Sequence, residues 1–192
     1  RVIYIGILYG IIGFENGLCK IHNRIFEQRI YNYIISRFSR ENDDILPSNK
    51  SSELVKNDKL DLEAVLIKFQ QFMKENYSPK DAKFIEREGR LLFLSFLKPI
   101  INGKGFDFKE PNVGDERRMD IVITFNDKKY VVELKIWYGQ EYHQRGLRQL
   151  SDYLDLNNLD KGYLLIFDFN KSKEFKQETI KFHDKEMFAV WV

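Results

Sequence analysis

The sequence predicts an α/β fold: a helix, a three-stranded meander, a second helix and a further strand, preceded by helices and a small N-terminal hairpin-plus-helix piece. Three observations predict it. Apolar residues recur at helical spacing up to about residue 100. From residue 106 the pattern changes to short runs rich in β-branched and aromatic residues. One helical segment, 140–157, separates the third run from the fourth, which is the signature of a crossover between strands of one sheet.

The elements follow in order. Residues 2–38 read as one unit. An apolar run ends in Ile11-Ile12-Gly13-Phe14, Asn16-Gly17 signals a hairpin, and Leu18–Ile21 is strand-like. Asn23 then caps a helix carrying Ile25, Phe26, Ile30, Tyr33, Ile34 and Phe38. Residues 41–58 are polar and turn-rich and read as a linker, which divides the chain into 1–40, 41–58 and 59–192. The helix over 61–77 places Leu62, Val65, Leu66, Phe69, Phe72 and Met73 on one stripe, with Asp61 as its cap. A second helix, 81–100, starts after Pro79 and stops near Pro99. Five strands are expected at 106–111, 118–125, 128–137, 162–169 and 187–192, the second and third joined through Asn126-Asp127.

Composition narrows the function classes. The chain has 192 residues, 43% of them hydrophobic and 31% charged, which suits one domain with an appendage and excludes global disorder. Lys plus Arg is 31 and Asp plus Glu is 29, so total charge gives no sign of a nucleic-acid or membrane surface. Cys19 is the lone cysteine, which excludes an internal disulfide and fits a reducing, cytoplasmic setting. His22, His143 and His183 lack metal-ligand spacing. The most apolar stretch, 1–14, is too short to span a membrane and holds three glycines. The chain opens at Arg1 inside that apolar run, which reads as a fragment of a longer polypeptide.

The third strand carries the chemistry. Alternation puts Val131, Glu133 and Lys135 on one side, so an acid and a lysine interrupt an apolar strand. On an edge strand both would face water; on a central strand both need partners or a function. Asp120 begins the preceding strand, and a hairpin would bring it toward Glu133. Two carboxylates with a backbone carbonyl, that of Leu134, make an oxygen cage for Mg²⁺ or Mn²⁺. Glu88 falls in the middle of an apolar helical stripe with Phe84, Ile85, Leu91, Leu92 and Ser95. It either reaches that cage or escapes to solvent at the helix start. Gln149 and Tyr153 share a face of the later helix, as rim and core residues or as part of the site. Arg87, Arg90, Arg117, Arg118, Arg145 and Arg148 are surface charges or phosphate holders. Trp137 is a stacking platform or core.

Asp120, Glu133-x-Lys135, an acid on the preceding helix and Gln149-x-x-x-Tyr153 together resemble the PD-(D/E)XK nuclease superfamily, with its restriction-endonuclease-like core. More narrowly, residues 60–192 resemble the nuclease-like C-terminal domain of prokaryotic AAA-ATPase-like proteins, and 2–38 the end of their ATPase portion. The resemblance implies metal ligation by Asp120, Glu133 and the Leu134 carbonyl, water positioning by Lys135 and support from Glu88 and Gln149. It implies that Tyr153, with Gln149, supports the site or touches substrate; Arg90 and Arg118 are the expected phosphate contacts because guanidinium suits phosphate. The implied partners are nucleic acid, DNA in the first instance, and an upstream ATPase domain of the same polypeptide; no membrane is involved. Met119 stands where the superfamily has proline. The chain holds no GxxxxGK[ST] loop, so ATP binding belongs to the upstream region. The competing expectation is a catalytically inactive nuclease-fold module that serves interaction.

Overall fold

The computed structural model describes residues 2–15, 18–22, 54–78, 82–101, 105–108, 121–170 and 172–192, with Phe26, Arg29, Ile30, Tyr33 and Arg37 between them. Side chains at 2–3, 15, 18–20, 82–88 and 106–108 lie outside the description. The chain divides into two units, Arg1–Asp43 and Asp44–Val192.

In the first unit, α1 (Val2–Leu8) precedes β1 (Ile12–Glu15) and β2 (Leu18–Ile21). The strands pair antiparallel from Ile12↔Ile21 to Glu15↔Leu18, the hairpin pairing that the sequence predicts; Asn16 and Gly17 themselves lie outside the described residues. Gly10, at φ +65°, ends α1 in the left-handed region that glycine enters without steric cost. The five described positions from Phe26 to Arg37 are helical, in keeping with the expected amphipathic helix.

The second unit opens with a hairpin, β3 (Val55–Lys56) and β4 (Lys59–Leu60). Asn57 and Asp58 both have positive φ, the conformation a two-residue turn of this kind needs. Helix α2 (Leu62–Asn76) starts at Asp61, whose Oδ1 accepts a hydrogen bond from the Ala64 N–H at 3.1 Å. Its buried side chains are the expected stripe plus Gln70. Helix α3 (Ala82–Ile101) runs two residues past Pro99. A proline this close to the C-terminus removes one backbone bond without ending the helix.

Among the described residues six strands form the sheet: β5 (Gly105–Phe108), β6 (Ile121–Phe125), β7 (Lys128–Ile136), β8 (Lys161–Phe167), β9 (Gln177–Phe182) and β10 (Lys185–Trp191), in the order β5-β6-β7-β8-β10-β9. The meander β5-β6-β7 is antiparallel. Helix α4 (Gln140–Leu156) then crosses over, and β8 runs parallel to β7. Strand β10 pairs parallel with β8 and antiparallel with the edge strand β9. The sheet is therefore mixed, and the predicted helix-meander-helix-strand order is present. Strand β9 was not among the five expected. Its exposed positions hide it, because only Ile180 and Phe182 in QETIKF are apolar.

Helices cover both faces. Under α4, Leu147, Leu150, Tyr153 and Leu154 pack with Val122, Val131, Leu164, Ile166, Met187, Ala189 and Trp191. Helices α2 and α3 meet through Phe69, whose ring lies 5.1 Å from Phe93 and 5.4 Å from Phe96. Helix α3 approaches the sheet at Gly89, where a Cβ would lie 2.9 Å from Phe167 Cζ. Helix α2 is tied to the last strands by Gln70, whose Nε2 donates to the carbonyls of Trp191 (2.7 Å) and Lys176 (3.1 Å).

Candidate active site on the central strand

Strand β7 has neighbours on both sides, β6 and β8, so the edge-strand alternative for Glu133 and Lys135 does not apply. Glu133 is 1% exposed. A carboxylate that deep requires a charged or hydrogen-bonding partner. Lys135 supplies it, with Nζ 2.8 Å from Glu133 Oε1. The same Nζ donates to Gln149 Oε1 at 3.1 Å. The lysine side chain is 19% exposed, so it links a buried acid to solvent.

Helix α4 shapes this arrangement. At 100° per residue, Tyr142, Gly146, Gln149 and Tyr153 share one face. A Cβ on Gly146 would lie 3.3 Å from Lys135 Cε, so the missing side chain makes room for the lysine stem. The Tyr142 ring centroid is 5.6 Å from Lys135 Nζ. Lys135 thus runs along α4 between an aromatic ring, a glycine and an amide. Parallel pairing sets Glu133 beside Leu164 and Lys135 beside Ile166, both core residues under α4. The pair therefore rises from an apolar floor, where charge–charge attraction is less screened than in water.

The structure brings together Glu133, Lys135 and Gln149. Leu134 lies between the first two on β7, paired with Leu165. Tyr153, expected to support the site or touch substrate, is 5% exposed and packs inside the core under α4. Arg90 is half-buried on α3. Glu88 belongs to the same helix, one residue before the Gly89 contact, but its side chain lies outside the described residues. Asp120 and Arg118 also lie outside them.

Three neighbours were missed: Tyr138, Tyr142 and Gly146. The shared helical face of Tyr142, Gly146 and Gln149 is a sequence signal that would have found two of them. Trp137 is partly buried and packs against the α4 core. Its ring lies 5.5 Å from His143 and 6.3 Å from Trp191. His143 is buried against both tryptophans. Burial, with Lys176 nearby, holds its imidazole below the ordinary range against the opposing pull of Glu178.

Glu133 and the β7 backbone offer only oxygen donors, which suits a hard cation such as Mg²⁺ rather than a thiolate-seeking metal. Among the described residues no three His, Cys, Asp or Glu side chains cluster as a complete ligand set. Any cation here therefore needs a further carboxylate.

Residues 105–179 match the family model described as the PD-(D/E)XK nuclease superfamily. The match runs from β5 to the start of β9 and includes Glu133, Lys135 and Gln149. No curated protein compared with the chain matches it. Among the described residues no helix is long and apolar enough to cross a membrane. With its buried Glu133, the lysine two residues on and the helix that carries Gln149, the stretch 105–179 is similar to the PD-(D/E)XK nuclease superfamily.

Proposed function

We propose that this chain is a Mg²⁺- or Mn²⁺-dependent nuclease that hydrolyses phosphodiester bonds of DNA. The observation that carries the reading is the contact of Lys135 with both buried Glu133 and Gln149 on a central strand. Asp120 is the second metal ligand in this reading. It directly precedes Ile121, whose partner on β7 is Val132, the residue directly before Glu133. Asp120 and Glu133 each stand one residue beyond the same pair. Glu88 would complete the acidic set and the Leu134 carbonyl the oxygen cage.

A bound divalent cation would neutralise the scissile phosphate and acidify a water. The chain's own groups do the rest. An ammonium donates hydrogen bonds and never accepts them, so Lys135 orients the attacking water through its oxygen and cannot take its proton. Glu133 and Gln149 fix where that ammonium points. The water oxygen bonds to phosphorus as the bond to the 3′-oxygen breaks, which leaves a 5′-phosphate and a 3′-hydroxyl. Arg90 and Arg118 are proposed for flanking phosphates, and Tyr153 for support of Gln149 from within the core.

The reading extends to context. The resemblance of residues 2–38 supports a place as the C-terminal part of a cytoplasmic AAA-ATPase-like protein, and a Walker motif upstream in the complete gene would bear on that.

Nicking of supercoiled plasmid with Mg²⁺ or Mn²⁺ tests the activity. Wild type should convert plasmid to open circles, and Lys135→Ala should lose at least about a hundredfold in rate. Equal products from the two proteins would remove the enzymatic reading and leave an interaction module.

A further inference from the structure

Among the described residues of the second unit, the large apolar side chains left exposed are Ile67, Tyr138 and Leu156. Tyr138 is the aromatic one, 65% exposed, and it lies three residues after Lys135. A single exposed tyrosine is ordinary; this one is held. Its ring meets Tyr142 edge-to-face, with centroids 5.4 Å apart and planes at 86°. Tyr142 in turn gathers two cations. Lys135 Nζ lies 5.6 Å and the Arg145 guanidinium 5.5 Å from its ring centroid. Gly139, at φ +98°, directly follows Tyr138 and makes the sharp turn from β7 into α4.

Charge frames what this cluster can do. Residues 81–192 contain 19 Lys plus Arg and 19 Asp plus Glu, a net of zero. Affinity for a polyanion normally rests on excess positive charge. Where that excess is missing, stacking on aromatic rings is the other large term open to a nuclease-like site. Stacking needs a bare base face, which an unpaired strand offers and a continuous duplex covers.

Resting on the nuclease reading, we propose that Tyr138 is a base-stacking platform that selects single-stranded nucleic acid. Tyr142 is its positioning residue, and Arg145 takes the adjoining phosphate. The base next to the scissile bond lies on the free face of Tyr138, and the backbone passes Arg145 toward Lys135. Every base has a π-face, so the preference is for unpaired structure and not for sequence.

Fluorescence anisotropy of a labelled oligothymidylate with the full chain in EDTA tests this apart from cleavage. Tyr138→Ala should bind it about tenfold more weakly than wild type, with affinity for a duplex of equal length unchanged. Tyr138→Trp should restore binding. Arg145→Ala should lower the slope of log affinity against log salt by about one, and Tyr138→Ala should leave that slope alone. Wild type that shows no measurable affinity for the oligothymidylate overturns the proposal. So does equal binding by Tyr138→Ala and wild type, or equal weakening for single strand and duplex. Cleavage in Mg²⁺ is scored separately. Plasmid nicking with unchanged Tyr138→Ala binding rejects the platform and keeps the nuclease; lost single-strand binding without any nicking does the reverse.

Discussion

Substitutions at two neighbours of Lys135, Glu133 and Gly146, should have different consequences. Glu133→Gln keeps the shape but removes the charge that holds the ammonium, so activity should fall steeply in a nicking assay while the fold persists by circular dichroism. Gly146→Ala acts from the other side. An alanine is worth about 1 kcal/mol more than glycine inside a helix. Its Cβ would press on Lys135 Cε at 3.3 Å, and only the lysine stem can yield. The account predicts an unchanged or raised melting temperature together with reduced nicking. A loss of stability with activity intact would contradict this view of Gly146. The acid and lysine were legible in the sequence because two charges in an apolar strand are costly unless used. Tyr138 and Tyr142 were not, since a tyrosine suits a core or a surface equally until burial is known. Trp137 and Tyr138 show how little separates the cases: adjacent aromatics, one packed on His143 and one out in solvent.

The elements rest on local devices that can be tested one at a time. Partial burial pulls the Asp61 carboxyl up, but the Lys56 ammonium at 3.0 Å and the Ala64 N–H outweigh it and hold the pKa below the ordinary value. A depressed carboxyl contributes stability above its unfolded pKa and loses it as pH falls through the folded one. Asp61→Ala should therefore cost about 1 kcal/mol at neutral pH in urea melts, and the difference should shrink well below pH 4. Helix α3 depends on Gly89. A larger residue there meets Phe167, so Gly89→Leu should destabilise by about 1–3 kcal/mol and reduce nicking, because α3 also carries Glu88. Helix α2 and the strands β6, β7, β8 and β10 were visible in periodicity. Strand β9 was not, because an edge strand exposes most of its side chains and so lacks the alternation by which buried strands are recognised.

Across the whole second unit, one mixed sheet joins a meander to a crossover, and the site lies where the neighbours of β7 change from antiparallel β6 to parallel β8. The far side of the α4 core is closed by His143 between Trp137 and Trp191. With its folded pKa depressed, this imidazole is neutral in the fold while the unfolded chain takes up a proton near pH 6.5. Stability should thus fall as pH drops from about 6.5 through the folded value, and His143→Phe should flatten that part of the curve. Fold order and the Glu133–Lys135 motif could be read from the chain alone; their convergence with Gln149 required the register of β7 against α4.

Calorimetric titration of Mn²⁺ into the full chain, without substrate, tests the central claim most directly. The account predicts saturable heat in wild type that is lost in both Asp120→Ala and Glu133→Gln and retained in Tyr138→Ala. Equal heats in all four proteins would contradict a divalent-cation site built on Asp120 and Glu133.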